Sequence, residues 1–495
     1  MSRENVLRSL LTVLSAASAL ALAHVAPASA ATVTNTDDSG AGSLRAAIQS
    51  GDGSITFGAG ASGTINLASA LPVISHDVQI QGPGAGQLWV RRDSGGNYRI
   101  FTVNSGSTVK ISGLGISNGY VSAFPILGGG IFNQGTLTVS DSVVIGNTSE
   151  GSGGGIFNGN LGALTLLRST VSGNQATGGI NAYGGGIKND GTLKVEGSLV
   201  ILNTSTRDGG GIHTSNQDRS NQTIRNTTVT ANQADGVGGG IAADAVNGSI
   251  VALISSTVAS NTSGNVAGGV MTVRNSIIAN PQGGPNCGQP GVESNGYNLE
   301  SADSCGFDEP TDLVAVPPQL DDPIYNGGPT DTMRLLETSP AIDCGDSGNL
   351  ASDQRGRPRP VDLGRIVNAP GGDGADIGAF EVQSPVGILG GTCASQPPNQ
   401  FTFGRVIRHR KRGTATLVVQ VPGPGKVALY GKRLRTNTKN PAAAGKVRLG
   451  VKARGRARRT LRRAGRVRVR VKVTFTPTGG IPHTHAKTIR LIKRR

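Results

Sequence analysis

A phrase that returns every 25–31 residues, a glycine-rich composition poor in aromatic rings, and a charge reversal near residue 400 predict an all-β chain. The expected fold class is a right-handed parallel β-helix followed by a small basic β-sandwich-like domain. Of 495 residues, 76 are Gly and only 17 are Phe, Tyr or Trp. A core without large rings must bury small and β-branched side chains in thin layers, and stacked coils do that.

The repeat has two phrases that keep step. GGGIFN occurs at Gly128–Asn133 and Gly153–Asn158, with relatives from Gly184 (GGGIKN), Gly209 (GGGIH) and Gly238 (GGGIA), and a decayed copy at Gly268-Gly269-Val270. Their apolar anchors, Ile131, Ile156, Ile187, Ile212, Ile241 and Val270, lie 25, 31, 25, 29 and 29 residues apart. The second phrase is a Ser/Thr-led β-branched run closing on Asn147, Asn174, Asn203, Asn232 and Asn261, with NSIIAN to Asn280 as a shorter last member. Between them lies a third short strand, such as Thr136–Val139.

Three short β segments separated by Gly and Asn corners suit one coil of a three-sided solenoid. Coils stack about 4.8 Å apart with parallel hydrogen bonding, so the anchors should form an aliphatic column. The Asn row should form a structural ladder, each buried amide bonding to the next coil or to corner backbone. A row facing a glycan is the alternative. Each Asn closes an apolar strand where the chain must turn, and that favours architecture. GGGI is followed by no helical pattern and no Lys-Ser/Thr, so it is not a phosphate loop.

The flanks divide the remainder. Arg3 and Arg8, the apolar stretch 9–23 and Ala28-Ser29-Ala30 read as a signal peptide over residues 1–30, with a mature protein from near Ala31. The apolar run is too short to span a membrane comfortably, and no later segment offers a span. Residues 31–127 read as an N-terminal cap and first coils, with Leu44–Ile48 as a short capping helix over the open end. The regular coils occupy 128–300, C-terminal coils and a trailing region 301–382, a Pro/Gly/Ser linker 383–400, and the basic domain 401–495. Export makes disulfides plausible for the four cysteines. Cys287 and Cys305 bracket a Gly/Asn-rich excursion and should form a local staple; Cys344 with Cys393 follows by elimination. No CxxC spacing or nearby His suggests a metal site, and no cofactor is expected.

DDSGAGSLRAAI (Asp37–Ile48) followed by SITF (Ser54–Phe57) resembles the N-terminal signature of bacterial secreted proteins with CSLREA-type domains, without their Cys. The GGGIFN repeats resemble those of β-helix proteins of pectin-lyase-like fold and, more distantly, polymorphic outer-membrane adhesins. YNGGPTDTMRLLETSPAID (Tyr325–Asp343), DQRGRPRP (Asp353–Pro360) and DIGAFE (Asp376–Glu381) resemble the choice-of-anchor Q domain. The resemblance covers residues 32–382 and implies a secreted or surface β-helix, without implying a reaction.

Charge separates the two parts. Residues 401–495 carry 28 Lys and Arg and no Asp or Glu, whereas the rest has a formal charge of −12. Within the basic part, Val467, Val469, Val471, Val473 and Phe475 alternate with Arg466, Arg468, Arg470 and Lys472, a strand with one apolar and one cationic face. Such a surface repels itself unless anions are near. Anionic cell-wall polymer or acidic extracellular polysaccharide is the expected partner. Export and the few aromatics (Phe401, Phe403, Tyr430 and Phe475) disfavour nucleic acid.

Enzyme chemistry on this scaffold would need convergent carboxylates, or a cationic base with Ca²⁺. The coil carboxylates fall mostly singly, in corners. His213 with Asp208 and Asp218 is the one local His/carboxylate cluster, and GGDGAD (Gly371–Asp376) is a single copy of a Ca²⁺-roll-like phrase already accounted for by DIGAFE. The expectation is a monomeric, non-catalytic, adhesin-like or polysaccharide-binding protein held to the surface by its basic domain. A polysaccharide lyase or glycoside hydrolase is the alternative.

Overall fold

A computed structural model describes residues 29–494, except 216–221, 245–249, 289–291, 365, 385–390, 394–399 and 478–481. The expected leader thus lies outside the described residues, apart from its last two positions. Residues 30–314 form a parallel β-solenoid. Its strands stack into two 11-stranded sheets, one of seven and one of five, with every ladder parallel.

One coil shows the plan. Ile131–Asn133 lies on the first face, Thr136–Ser140 on the second, Val143–Ile145 on the third, and the two-residue Thr148–Ser149 on a fourth. The fourth face was not expected from the sequence. Two residues are too few to show a period of two, so it reads as corner. At the N-terminal end, Ser43 caps the helix Leu44–Gln49 by accepting from the Ala46 N–H (3.2 Å), and Leu44, Ala47 and Ile48 are buried over the first coil.

Ile131, Ile156, Ile187, Ile212 and Ile241 are register partners in succession and none is exposed to solvent. The column then continues through Val266, not Val270. Val270 pairs instead with Ile250 on the second face and is 44% exposed. The displacement has a simple cause. Gly268 and Gly269 follow the first-face strand here rather than preceding it, so they serve the next corner. The Asn ladder is likewise continuous from coil to coil. Asn147 Nδ2 donates to Asn174 Oδ1 (2.9 Å), Asn174 to Asn203 (2.9 Å), Asn203 to Asn232 (2.9 Å) and Asn232 to Asn261 (3.0 Å). Asn261 then passes to Asn265, and Asn265 to Asn286. Asn280 is outside the ladder. The last run is one residue shorter, so Asn280 falls at an exposed left-handed corner (φ 52°) aligned with Ser260.

The same ladder explains why GGG and Asn travel together. The third glycine of each phrase packs on the ladder amide: a Cβ on Gly186 would lie 2.9 Å from Asn203 Cγ and 2.6 Å from the Gly211 carbonyl. The first, as at Gly184, holds a left-handed turn (φ 65°). Two further ladders run in parallel. Asn133 donates to Asn158 and Asn158 to Asn189 (both 2.6 Å). The leading hydroxyls of the second phrase each accept from the N–H of the corresponding residue one coil earlier: Ser169 from Ser142, Ser198 from Ser169, Thr227 from Ser198, and Ser256 from Thr227. Three buried polar columns around an aliphatic core leave few corner groups without partners.

The parallel rungs end at Leu313–Val314, and the chain then runs back along the outside of the third face. There Leu335, Ile342, Ile377 and Phe380 pack on the outward side chains of Ile277, Leu299 and Leu313, each Ile or Leu contributing about 1.5–3 kcal/mol of burial. Polar stitches accompany this contact: Thr228 Oγ1 to Gln354 Oε1 (2.6 Å), Asn226 Nδ2 to the Ser352 carbonyl (2.8 Å) and the Ala379 N–H to Thr257 Oγ1 (3.1 Å). Arg359 and Glu381 form a fully buried ion pair (2.7 Å) inside the return segment. Cys287 is bonded to Cys305, and Cys344 to Cys393.

Residues 401–494 fold as two antiparallel sheets, of three and four strands, around a common apolar core, with a helix at Gly455–Ala464. Thr414–Val421 and Gly445–Val451 pair with one another in the smaller sheet. The alternating strand Arg466–Pro477 is central in the larger one, between Gly425–Tyr430 and His483–Ile492. No helix among the described residues is long and apolar enough to cross a membrane.

Candidate functional site

His213 lies in the strand Ile212–Thr214, between two inward residues, in an outward column whose neighbours are Lys188 and Ala242. It is nonetheless only 2% exposed, with its ring 4.7 Å from that of Tyr183, which in turn lies beneath Arg207. Burial, and secondarily the Lys188 charge, hold its pKa well below the ordinary imidazole value, so the ring is neutral. The carboxylate nearest to it is Asp244 (Nε2 to Oδ1, 3.5 Å), itself pushed up by burial. Asp208, the expected partner, spends its carboxylate on the Val237 N–H (2.8 Å) as a corner cap. Asp218 lies outside the described residues.

The structure instead gathers Lys188, Asp190 and Ser215 beside His213, with Lys188 Nζ bonded to both of the others. Sequence reasoning missed this group. Its one signal is a Lys in the slot that Phe occupies in earlier coils. Those rings, Phe132 and Phe157, stack at 5.6 Å, and Phe157 is buried, so it is not an open platform for a sugar ring. In GGDGAD, Asp373 accepts from Ser347 and Ala375, and Asp376 from the N–H groups of Asp343 and Val382. Both carboxylates therefore serve the return segment. Among the described residues no three His, Cys, Asp or Glu side chains are grouped so as to hold a metal ion.

The exposed chemistry is concentrated in the basic domain. On the strand Arg466–Pro477, Val469, Val471, Val473 and Phe475 are buried, while Arg466, Arg468, Arg470 and Lys472 stand exposed on the opposite face. Arg468 sits directly across from Arg490, a like-charged pair that disfavours the sheet. Beside this face is an open groove of about 790 Å³, lined by Tyr430, Arg433, Arg454, Arg468, Arg470 and Lys472. A second groove of about 850 Å³ carries Arg405, Lys439, Lys446 and Arg448. The domain contains no Asp or Glu to neutralise either one. What such grooves can do chemically is hold several anionic groups at fixed spacing.

The chain matches no protein-family model and no curated protein.

Proposed function

We propose that this is an exported, non-catalytic β-solenoid protein that binds extracellular polysaccharide or neighbouring surfaces through its long coil faces. On this reading the basic domain retains it on anionic cell-wall polymer. The observation that carries the proposal is the cationic face of Arg466, Arg468, Arg470 and Lys472 in a domain without one acidic residue. A protein that merely needed solubility would gain nothing from placing Arg468 against Arg490. The motifs in the N-terminal cap and the return segment carry the CSLREA-like and choice-of-anchor Q-like resemblance, on which the solenoid is taken as a surface module. Two disulfides fit an oxidising compartment.

The test is retention of the full mature chain on an anionic wall-polymer matrix across a salt gradient. Replacing Arg466, Arg468, Arg470 and Lys472 by Gln, or deleting residues 401–495, should abolish salt-sensitive retention. Unchanged retention refutes the anchoring role. For the enzymatic alternative, incubation with acidic glycans should yield neither reducing ends nor unsaturated products. Turnover that His213→Ala abolishes would overturn the non-catalytic reading.

A further inference from the structure

A third pocket in the basic domain adjoins the face already described, with which it shares Arg454. It is an open pocket of about 570 Å³, lined by six cations, Arg412, Arg435, Lys452, Arg458, Arg462 and Lys493, besides the shared Arg454. These six cations come from four parts of the chain. Arg412 is in the turn that ends Thr402–His409, where its N–H donates to the His409 carbonyl (3.1 Å). Arg435 and Lys452 are brought together by a backbone hydrogen bond from the Arg435 N–H to the Lys452 carbonyl (2.9 Å). Arg458 and Arg462 are one helical turn apart on Gly455–Ala464, on the side where Leu461 is buried. Lys493 follows the last strand and is fixed by its N–H to the Gly465 carbonyl (2.8 Å). None of the six has an ion-pair partner among the described residues. Arg454, at the start of the helix, lines both this cavity and the groove beside Arg468.

From this convergence we infer that the cavity is a binding site for a phosphate-dense polyanion, and that it gives the basic domain its ligand preference. The inference rests on the reading that this domain holds anionic polymer. Two features select phosphate over carboxylate. Four of the six cations are Arg, whose planar fork engages two oxygens at once and is satisfied repeatedly by a tetrahedral group with several acceptors, whereas a carboxylate fills a single fork. The cavity is also of small-molecule size. An acidic glycan would bring only a couple of rings into it, with one carboxylate on each, too few to balance six cations. Successive phosphates supply more charge in the same space.

The experiment is titration calorimetry of the full chain with inorganic tripolyphosphate and with benzenehexacarboxylate, a polycarboxylate of at least equal charge. The expected result is binding of tripolyphosphate at least about tenfold tighter than the polycarboxylate. Arg458→Gln/Arg462→Gln should weaken tripolyphosphate by about tenfold or more, with unchanged thermal unfolding, because both side chains are exposed. Arg468→Gln/Arg470→Gln, on the other face, should change it by less than about threefold. Equal affinity for the two anions overturns the phosphate preference. Loss in the second variant but not the first overturns the site, while leaving polymer retention by the Arg466–Lys472 face intact. If wall-polymer retention itself is absent, the parent reading fails instead.

Discussion

Replacing Asn203 by Ala would interrupt the ladder at its centre. Asn203 Oδ1 accepts from both the backbone N–H of Asn174 (3.0 Å) and its Nδ2 (2.9 Å), and its own Nδ2 donates to Val171 O and to Asn232 Oδ1 (each 2.9 Å). All of these groups are buried. In the Ala variant the Asn174 backbone N–H loses its acceptor, a cost of about 1–3 kcal/mol, and three further bonds at about 0.5–1.5 kcal/mol each are only partly recouped by neighbours. The expected destabilisation is about 2–5 kcal/mol. Asn280→Ala is the matched control. It removes the same amide from a phrase of the same appearance, but at an exposed left-handed corner, and should cost only the strain of Ala in that conformation, about 1–2 kcal/mol. Urea unfolding followed by circular dichroism gives the difference. Native-state hydrogen exchange should place the loss at the backbone amide of Asn174, since solenoid coils open locally, while the amide at position 203 keeps Asn232 Oδ1 as its acceptor. Equal effects of the two substitutions would refute the ladder as the source of corner stability.

Other outcomes follow from the same packing. Gly186→Ala, whose Cβ would meet the Gly211 carbonyl at 2.6 Å, should destabilise by about 1–3 kcal/mol, whereas Gly450→Ala, with nothing within 4 Å, should be near neutral by the same unfolding assay. Reduction should cost about 3 kcal/mol for Cys287–Cys305 (separation 18) and about 4 for Cys344–Cys393 (separation 49), read from denaturation of the single Cys→Ser pairs. Burial raises Asp343 to about 6. The protonated form is thus favoured by folding, and this contribution is present below about pH 4 and lost as pH rises towards 6. Asp343→Asn should accordingly gain stability over the parent between those values and hold a constant advantage above them. Arg490→Glu should stabilise the larger sheet at low salt by pairing with Arg468 while weakening retention on polyanions, a trade visible in parallel unfolding and salt-elution curves.

The parts legible in the sequence were those where one residue type answers one repeated geometry. Ile131 to Ile241 share a fully buried inward slot, and Asn147 to Asn261 share a corner that needs both donors and an acceptor. The two misplacements, Val270 and Asn280, fall where the coil shortens: Ile250 and Val270 are register partners only 20 residues apart. There the local phrase survives while its role passes to Val266 and to Asn265 and Asn286. The fourth face is too short to carry a period. The return segment is held by pairs such as Asn226 with Ser352 and Thr228 with Gln354, 126 residues apart, and neither partner announces the other. In the basic domain the period of two showed which face of Arg466–Pro477 is cationic. The cavity of Arg412, Arg435 and Arg458 joins segments whose convergence exists only in three dimensions.

The stacking of coils is what everything else depends on, and pyrene excimer fluorescence tests it most directly. All four native cysteines are in disulfides, so an introduced pair provides the only free thiols. Thr138 and Thr165 are register partners on the second face, 27 residues apart. Labelled Thr138→Cys/Thr165→Cys should give strong excimer emission that disappears on unfolding. Thr138→Cys/Ser172→Cys, with the second label on another face, should give none. Monomer emission alone from the first pair, or excimer of equal strength from both, would contradict the solenoid.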